Sequence, residues 1–224
     1  SSATSNNESL KSQVEVETVH WRQFKFNHSL TGSRTPAGCK IVSINRPANL
    51  RLEWKDENKL VSKVNGHHCS VSPGPNPLFV STDLWAETLK ILNEGFTVLR
   101  IDPAYLSGLI HYAREKGQRL DSIERIELSH QYAWNFYLHH LDDVSNAVVK
   151  NFYLSSEVDV LASSCLLGNF HATNSDLIYE VLDRGDEVID QPGALVITTL
   201  DTKVRPLIRY HNGDLVKRLS SVCP

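Results

Sequence analysis

The stretch FTVLRIDPAYLSGLIHYAREKG, residues 96–117, contains the pattern that decides the fold. Its first six residues, 96–101, form a short apolar run that is typical of a buried strand. Asp102 is a helix N-cap residue, Pro103 suits the first helical position, and Gly117 is typical of the position just past a helix end. The stretch therefore predicts a strand followed at once by a helix, the repeating unit of a parallel, helix-covered sheet.

Similar patterns flank this stretch on both sides. The predicted elements are a helix over 83–95 that starts at Asp83, a strand over 122–128, a helix over 130–143 and a strand over 147–154. This alternation of strand and helix indicates βαβ units and a largely parallel sheet. Signals over 40–80 are weak, and the Pro- and Gly-rich segment 72–79 predicts a loop.

After residue 155 the pattern changes to strands separated by short polar turns. The predicted strands cover 176–183, 193–201 and 205–214, and DRGDE over 183–187 predicts a turn. In the last strand and just before it we expect apolar residues to pack on a sheet, namely Val204, Leu207, Ile208 and Tyr210. We expect that strand to end at Asn212-Gly213, because both residues tolerate positive φ.

These patterns predict an α/β fold class, with a helix-covered, mostly parallel sheet followed by a mixed or antiparallel β subdomain. The predicted domains are a flexible leader over 1–18, an α/β core over 19–154 and a β-rich subdomain of that core over 155–224.

Composition limits the partners. With 224 residues, 41% hydrophobic and 22% charged, the chain can bury a sizeable core, and its formal net charge of −3 is modest. Lys and Arg form no block and no apolar run reaches membrane-spanning length, so we expect no nucleic-acid partner, no membrane partner and a cytoplasmic location. The four cysteines and two histidine pairs lack metal-ligand spacing.

Three segments, in order, resemble one family, the adenylate-forming ligases. GALVITTLDTKVRPLIRYHNGDL (193–215) resembles the family's G-E-L-V-x-T-T-L…P-L-I-R-Y-R-T-G-D-L segment. FYLSSEV (152–158) is similar to its Y-G-x-T-E motif, and 96–117 is similar to its strand and P-S-Y-L helix. The resemblance is to the phenylacetate–coenzyme A ligase-like branch, which includes stand-alone adenylating enzymes of capsule and antibiotic biosynthesis, phenazine antibiotics among them.

This resemblance implies an acid–thiol ligase that uses ATP and Mg²⁺. The implied reaction converts a small, aromatic carboxylic acid into an acyl-adenylate, with transfer to coenzyme A or another thiol as an optional second step. Because the protein does little covalent work in such a reaction, positioning and charge neutralisation dominate catalysis. The implied fold is the N-terminal core of adenylate-forming enzymes, and we expect the family's C-terminal lid to lie beyond this sequence.

The resemblance also assigns roles to individual residues. Glu157 would hold Mg²⁺, because a hard cation prefers carboxylate oxygen, and Ser156 would contact the α-phosphate. Tyr153 would stack on the adenine, and Asp214 would accept hydrogen bonds from both ribose hydroxyls. Arg209 would help to orient Asp214 or the phosphates. Glu157, Ser156 and Arg209 are thus the candidate catalytic residues.

The phosphate-binding loop departs most from the family pattern. LTGSRTPAG (30–38) corresponds to T-S-G-T-T-G-x-P, so Thr31, Gly32 and Ser33 would bind ATP, yet the loop lacks the second motif glycine. Glycines let backbone N–H groups turn toward phosphates. Leu154 likewise replaces the glycine beside the predicted adenine contact.

Each assignment has an ordinary structural alternative. Tyr153 also suits core packing, Asp214 suits a loop, and Ser156 with Glu157 suits the start of a helix. The corresponding alternative function is a degenerate family member that binds an aromatic acid or a nucleotide without catalysis.

Overall fold

The structure, a computed structural model, describes residues 39–50, 52–53, 59–133, 135–165, 167–172, 174–200, 206–221 and 223. Their contacts group into two compact units. Within the described residues, the α/β unit comprises 39–153 and 164–170, and the β unit comprises 154–163 and 171–223. The predicted leader and the phosphate-binding loop lie outside the described residues, and the predicted domain boundary after residue 154 stays a prediction.

The α/β unit is built on a mostly parallel sheet. In chain order its elements are β1 (Ile41–Ile44), β2 (Val61–Asn65), β3 (His68–Ser72), α1 (Thr82–Leu92), β4 (Val98–Ile101), α2 (Pro103–Glu115), β5 (Arg125–Leu128), α3 (Leu141–Val144) and β6 (Val148–Ser155). The strand order is β2-β3-β1-β4-β5-β6, and each neighbouring pair is parallel except β2 with β3. The predicted parallel, helix-covered sheet is confirmed.

Helix α2 begins and ends where the sequence predicts. Asp102 Oδ1 accepts a hydrogen bond from Ala104 N at 2.8 Å, which satisfies one of the free N–H groups of the first turn. Pro103 is the first helical residue. Gly117 follows the helix with φ of 60°, a left-handed conformation that glycine adopts without a Cβ clash.

Helix α1 begins one residue earlier than predicted. Its N-cap is Ser81, whose Oγ accepts a hydrogen bond from Leu84 N at 3.3 Å. Asp83, the predicted start, lies instead in the first turn, where its negative charge interacts favourably with the helix dipole. No helix among the described residues combines the length and apolar character needed to cross a membrane.

One face of the parallel sheet packs in a single hydrophobic core with α1 and α2. Alternate strand residues contribute to it because side chains alternate between faces of a sheet; they include Val42, Ile44, Leu99, Ile101, Ile126 and Leu128. The two helices approach closely where Trp85 of α1 meets Gly108 of α2. A Cβ at position 108 would lie 2.7 Å from Trp85 Cζ2.

We predict that Gly108→Ala lowers the free energy of unfolding, because the buried Trp85 ring must move to admit the methyl group, at a cost of about 1–3 kcal/mol. Alanine recovers about 1 kcal/mol of this cost in a helix interior, which leaves a net loss of up to about 2 kcal/mol. Urea denaturation measures the change, with Ser107→Ala in the same helix as the control. Stabilisation by Gly108→Ala would contradict the close contact.

The predicted helix over 130–143 is wrong. The segment forms a 3-10 turn at Asn135–Leu138 and the short α3. His130 and His140 have φ of 79° and 67°, so the backbone leaves the helical region at both positions. Gln131 also leaves the helical pattern to donate a hydrogen bond to Asp102 Oδ1 at 2.7 Å. Tertiary contacts therefore override the amphipathic pattern.

The sequence patterns predict no strands over 40–80, yet this segment contains β1, β2 and β3. Strand β2 exposes four of its five residues, so it lacks an apolar alternation that would identify it. Its pairing with β3 supplies the stabilising contacts instead. The loop predicted over 72–79 begins at the last residue of β3 and is irregular after it, except for a 3-10 turn at Pro77–Phe79.

The β unit contains an antiparallel sheet. That sheet has four strands, β9 (Leu177–Asp183), β10 (Asp186–Glu187), β11 (Pro192–Thr199) and β12 (Tyr210–Lys217). The preceding strands β7 (Asp159–Ser164) and β8 (Phe170–Ala172) are not part of it, and each has one end residue in the α/β unit, as β6 has its last two residues in the β unit. The order in the antiparallel sheet is β10-β9-β11-β12. The turn predicted over 183–187 is confirmed, because Arg184 and Gly185 have φ of 51° and 101° between β9 and β10.

The last strand differs from its prediction. Asn212-Gly213 does not end it, since β12 continues to Lys217. Val196 of β11 faces His211 and Ala194 faces Leu215, so residues 212–214 together oppose a single residue of β11. The turn chemistry forms a bulge inside the strand. Ile208 lies before β12 and is 78% exposed, so the expectation that it packs on the sheet is wrong.

Candidate functional site

Glu157 lies in the tight turn that joins β6 to β7. Ser155 Oγ donates a short hydrogen bond to Glu157 Oε2, and Glu157 N donates to the same Oγ at 3.2 Å. Tyr210, the first residue of β12, donates from its hydroxyl to Glu157 Oε1 at 3.2 Å. Both donors to the carboxylate are neutral hydroxyls, so these bonds orient an exposed carboxylate and leave its negative charge in place.

Asp214 lies in the bulge of β12, and Asn212 orients it. Asn212 Nδ2 donates to Asp214 Oδ2 at 2.8 Å, while Asp214 N donates to Asn212 Oδ1 at 3.1 Å. Gly213 between them has φ of 91°, which accounts for glycine at this position. The geometry holds an exposed carboxylate on a backbone that is fixed from both sides.

Arg209 precedes β12 in a left-handed conformation, with φ of 49°. Its N–H donates to Thr198 Oγ1 at 2.9 Å, and Leu207 N donates to Thr199 Oγ1 at 2.9 Å. The Arg209 guanidinium forms an ion pair with Glu180 of β9, with Nη2 and Oε1 3.2 Å apart. Its described charged partner is therefore Glu180, and its predicted role toward Asp214 or phosphates stays a prediction.

Of the other predicted site residues, Ser156 and Tyr153 lie in the part of the chain that the structure describes. Ser156 is exposed in the same turn as Glu157. Tyr153 is a partly buried residue of β6 and belongs to the α/β unit. Thr31, Gly32 and Ser33 lie outside the described residues. Their roles stay predictions.

Sequence reasoning missed the hydroxyls that hold Glu157, on Ser155 and Tyr210. Ser155 could have been found locally, since a serine two residues before a glutamate can form this kind of turn. Tyr210 could not, because 53 residues separate it from Glu157 and only the fold of the β unit brings them together.

A neighbouring tyrosine has a structural role. Tyr179 of β9 donates from its hydroxyl to the backbone oxygen of Leu161 at 2.8 Å. Burial raises the pKa of Tyr179 to about 12, so the hydroxyl remains a neutral donor at physiological pH. Tyr179 and Tyr210 both lie opposite Ile197 of β11, on its two sides.

A separate cluster of charges crosses the sheet of the α/β unit. Glu127 of β5 has a side chain only 4% exposed and lies 2.7 Å from Arg100 Nε and 3.6 Å from Arg125 Nη1. Lys150 lies opposite it on β6. Burial, with the charge of Arg125, lowers the pKa of Lys150. The single buried carboxylate thus compensates several cations, which makes this cluster a structural feature of the sheet.

We predict that Glu127→Gln lowers the free energy of unfolding by about 3 kcal/mol, the lower end of the range for a buried ion pair that loses one partner. The lower end is expected because Arg100 and Arg125 keep some solvent contact. Thermal or urea denaturation measures the change, and Glu124→Gln, at an exposed position beside the same strand, is the control. Equal, small effects of both substitutions would contradict the predicted role.

Of the comparisons with known proteins, the one with solved structures identifies the fold. No protein-family profile matches the chain, and no curated protein matches it in sequence. An open-conformation crystal structure of 2-hydroxyisobutyryl-CoA ligase in complex with 2-HIB-AMP and CoA has a TM-score of 0.61 and 15% identity, over 86% of this chain and 46% of the ligase chain. This is the fold of the adenylate-forming ligases.

Two further structures have the adenylate-forming fold in common with this chain. The crystal structure of VinN has a TM-score of 0.54 and 15% identity, over 77% of this chain and 42% of VinN. The apo structure of Mycobacterium smegmatis MbtA has a TM-score of 0.54 and 12% identity, over 82% of this chain and 36% of MbtA. The chain thus spans less than half the length of each of the three structures. Such low identity shows the fold alone, so the phenylacetate–coenzyme A ligase-like branch stays a prediction.

Proposed function

We propose that the protein takes part in ATP-dependent adenylation of a small carboxylic acid. The observation that carries the proposal is the arrangement of two carboxylates in the β unit. Glu157 is held by Ser155 and Tyr210, and Tyr210 begins the strand whose bulge presents Asp214. Two oriented, exposed carboxylates suit a ligand with a metal-bound polyphosphate at one end and a ribose at the other.

In the proposed reaction a carboxylate oxygen of the acid attacks the α-phosphorus of ATP. The bond to pyrophosphate breaks, and an acyl-adenylate remains. Asp214 would accept hydrogen bonds from the ribose hydroxyls, and Ser156 would contact the α-phosphate. Tyr153 would stack on the adenine, and Arg209 would help to orient Asp214 or the phosphates. These contributions are positional, as expected for phosphoryl chemistry in which the protein forms no bond to substrate.

The residues present fit a magnesium ion. Mg²⁺ in nucleotide sites takes one or two carboxylates, with waters and phosphate oxygens as the other ligands. Glu157 offers an exposed carboxylate whose orientation two hydroxyls fix without neutralising it. Bound there, Mg²⁺ would neutralise charge on the phosphates of ATP. A small aromatic acid as substrate, and coenzyme A or another thiol as acceptor, belong to the same proposal.

The first test is calorimetric titration of the full chain with Mg·ATP. We expect binding, and we expect Asp214→Ala to weaken it by about 2 kcal/mol, roughly 30-fold, as for the loss of charged hydrogen bonds. Asp186→Ala is the control, because it removes an exposed carboxylate from the opposite edge strand of the same sheet. Absence of Mg·ATP binding by the folded protein would contradict the proposed function.

The second test is acid-dependent exchange of labelled pyrophosphate into ATP, measured with a panel of aromatic and aliphatic acids. We expect exchange with at least one acid, and a decrease of about 10²-fold or more in Glu157→Gln, which keeps the side-chain shape and loses the charge. Asp186→Asn should leave exchange unchanged. Mg·ATP binding without exchange for any acid would favour the alternative function, a protein that binds a nucleotide or an aromatic acid without catalysis.

A further inference from the structure

We propose that Tyr210 is a positioning residue that couples metal binding at Glu157 to nucleotide binding at Asp214. The inference rests on the proposed function and deepens it. Tyr210 is distinctive because it belongs to the strand that presents Asp214 and donates its hydroxyl to Glu157 Oε1 at 3.2 Å.

The backbone around Tyr210 is fixed on both sides. Before it, Arg209 N donates to Thr198 Oγ1 at 2.9 Å. Tyr210 itself lies opposite Ile197 of β11. These contacts fix the backbone position of Tyr210. The position of its side-chain hydroxyl therefore depends on the pairing of β12 with β11.

The same pairing determines where Asp214 lies. After the bulge, Leu215 returns to register opposite Ala194, so Asp214 is bounded by paired residues on β12 at both ends of the bulge. A ligand that binds Asp214 would restrict the motion of the short segment 210–214, which begins at Tyr210. Since Tyr210 also holds Glu157, tighter order in this segment favours one orientation of the Glu157 carboxylate.

The chemistry of a phenol suits this task. A neutral hydroxyl donates one hydrogen bond and leaves the carboxylate its full charge, whereas a lysine or arginine would compete with a cation. With Oε1 oriented by Tyr210 and Oε2 by Ser155, the remaining lone pairs point in fixed directions. By linkage, a metal ion at Glu157 that strengthens nucleotide binding must itself bind more tightly when the nucleotide is present.

The test is calorimetric titration of the full chain with ATP at a series of Mg²⁺ concentrations. In the wild-type protein we expect ATP affinity to rise with Mg²⁺. In Tyr210→Phe we expect the Mg²⁺ concentration at the midpoint of this increase in affinity to be about tenfold higher, as for a lost hydrogen bond to a charged group. ATP affinity without Mg²⁺ should change little, a separation that general loss of structure would not produce.

Tyr179→Phe is the matched control. It removes a phenol hydroxyl from the opposite side of Ile197, and that hydroxyl donates to Leu161 and not to Glu157. We expect a lower melting temperature and an unchanged Mg²⁺ dependence. A double-mutant cycle adds a second check: in a Glu157→Gln background, Tyr210→Phe should have no further effect on the Mg²⁺ dependence.

The outcomes separate the inference from the function on which it rests. Mg²⁺-dependent ATP binding by the wild-type protein, with the same dependence in Tyr210→Phe, would overturn the coupling and leave the proposed function standing. No Mg²⁺-dependent binding by the wild-type protein would overturn both. If Tyr210→Phe does not fold, 3-fluorotyrosine at position 210 retains the hydroxyl. Its ¹⁹F resonance should shift when Mg·ATP is added, and a resonance that does not move would also overturn the coupling.

Discussion

The pairing of β11 with β9 on one side and β12 on the other is the constraint on which the β unit depends. Six consecutive residues of β11 are in register with β9, whereas the pairing with β12 is interrupted by the bulge. A strand held this firmly on one side tolerates an irregular partner on the other. The irregular strand can therefore carry Asp214 without loss of the sheet.

Short polar side chains satisfy the backbone where the ladder is broken. Thr198 and Thr199 accept hydrogen bonds from the backbone N–H groups of residues 209 and 207, and Asn212 accepts one from residue 214. Buried or strained backbone groups without such partners would cost free energy. The polar side chains near the two carboxylates thus have a structural role, since they satisfy backbone N–H groups. The same hydrogen bonds also fix the backbone from which the candidate site residues project.

The α/β unit solves a different problem. Its parallel strands bury one face against α1 and α2, and the opposite face carries the charged row of Arg100, Glu127 and Lys150. A buried ion cluster costs desolvation free energy, which only a well-matched geometry offsets. Here the parallel register places the three residues directly opposite one another on adjacent strands, and Arg100 Nε donates a hydrogen bond to Glu127 Oε2 at 2.7 Å.

The sequence by itself determined the features that depend on neighbours along the chain. These are the strand and helix over 96–117, the caps Asp102 and Gly117, the turn over 183–187 and the positive φ of Gly213. Local periodicity and turn chemistry suffice there, because the interacting groups lie within a few residues of one another.

Only the tertiary structure decided the rest. The helix expected over 130–143 yields to contacts such as Gln131 with Asp102, and the expected end of β12 becomes a bulge because β11 supplies a partner beyond it. The hydrogen bond from Tyr210 to Glu157 joins residues 53 apart in sequence. Local patterns indicate which residues prefer a strand or a turn. They do not indicate which distant segment will satisfy a hydrogen bond or bury a face. The pairing of distant segments therefore determines the candidate site in the β unit.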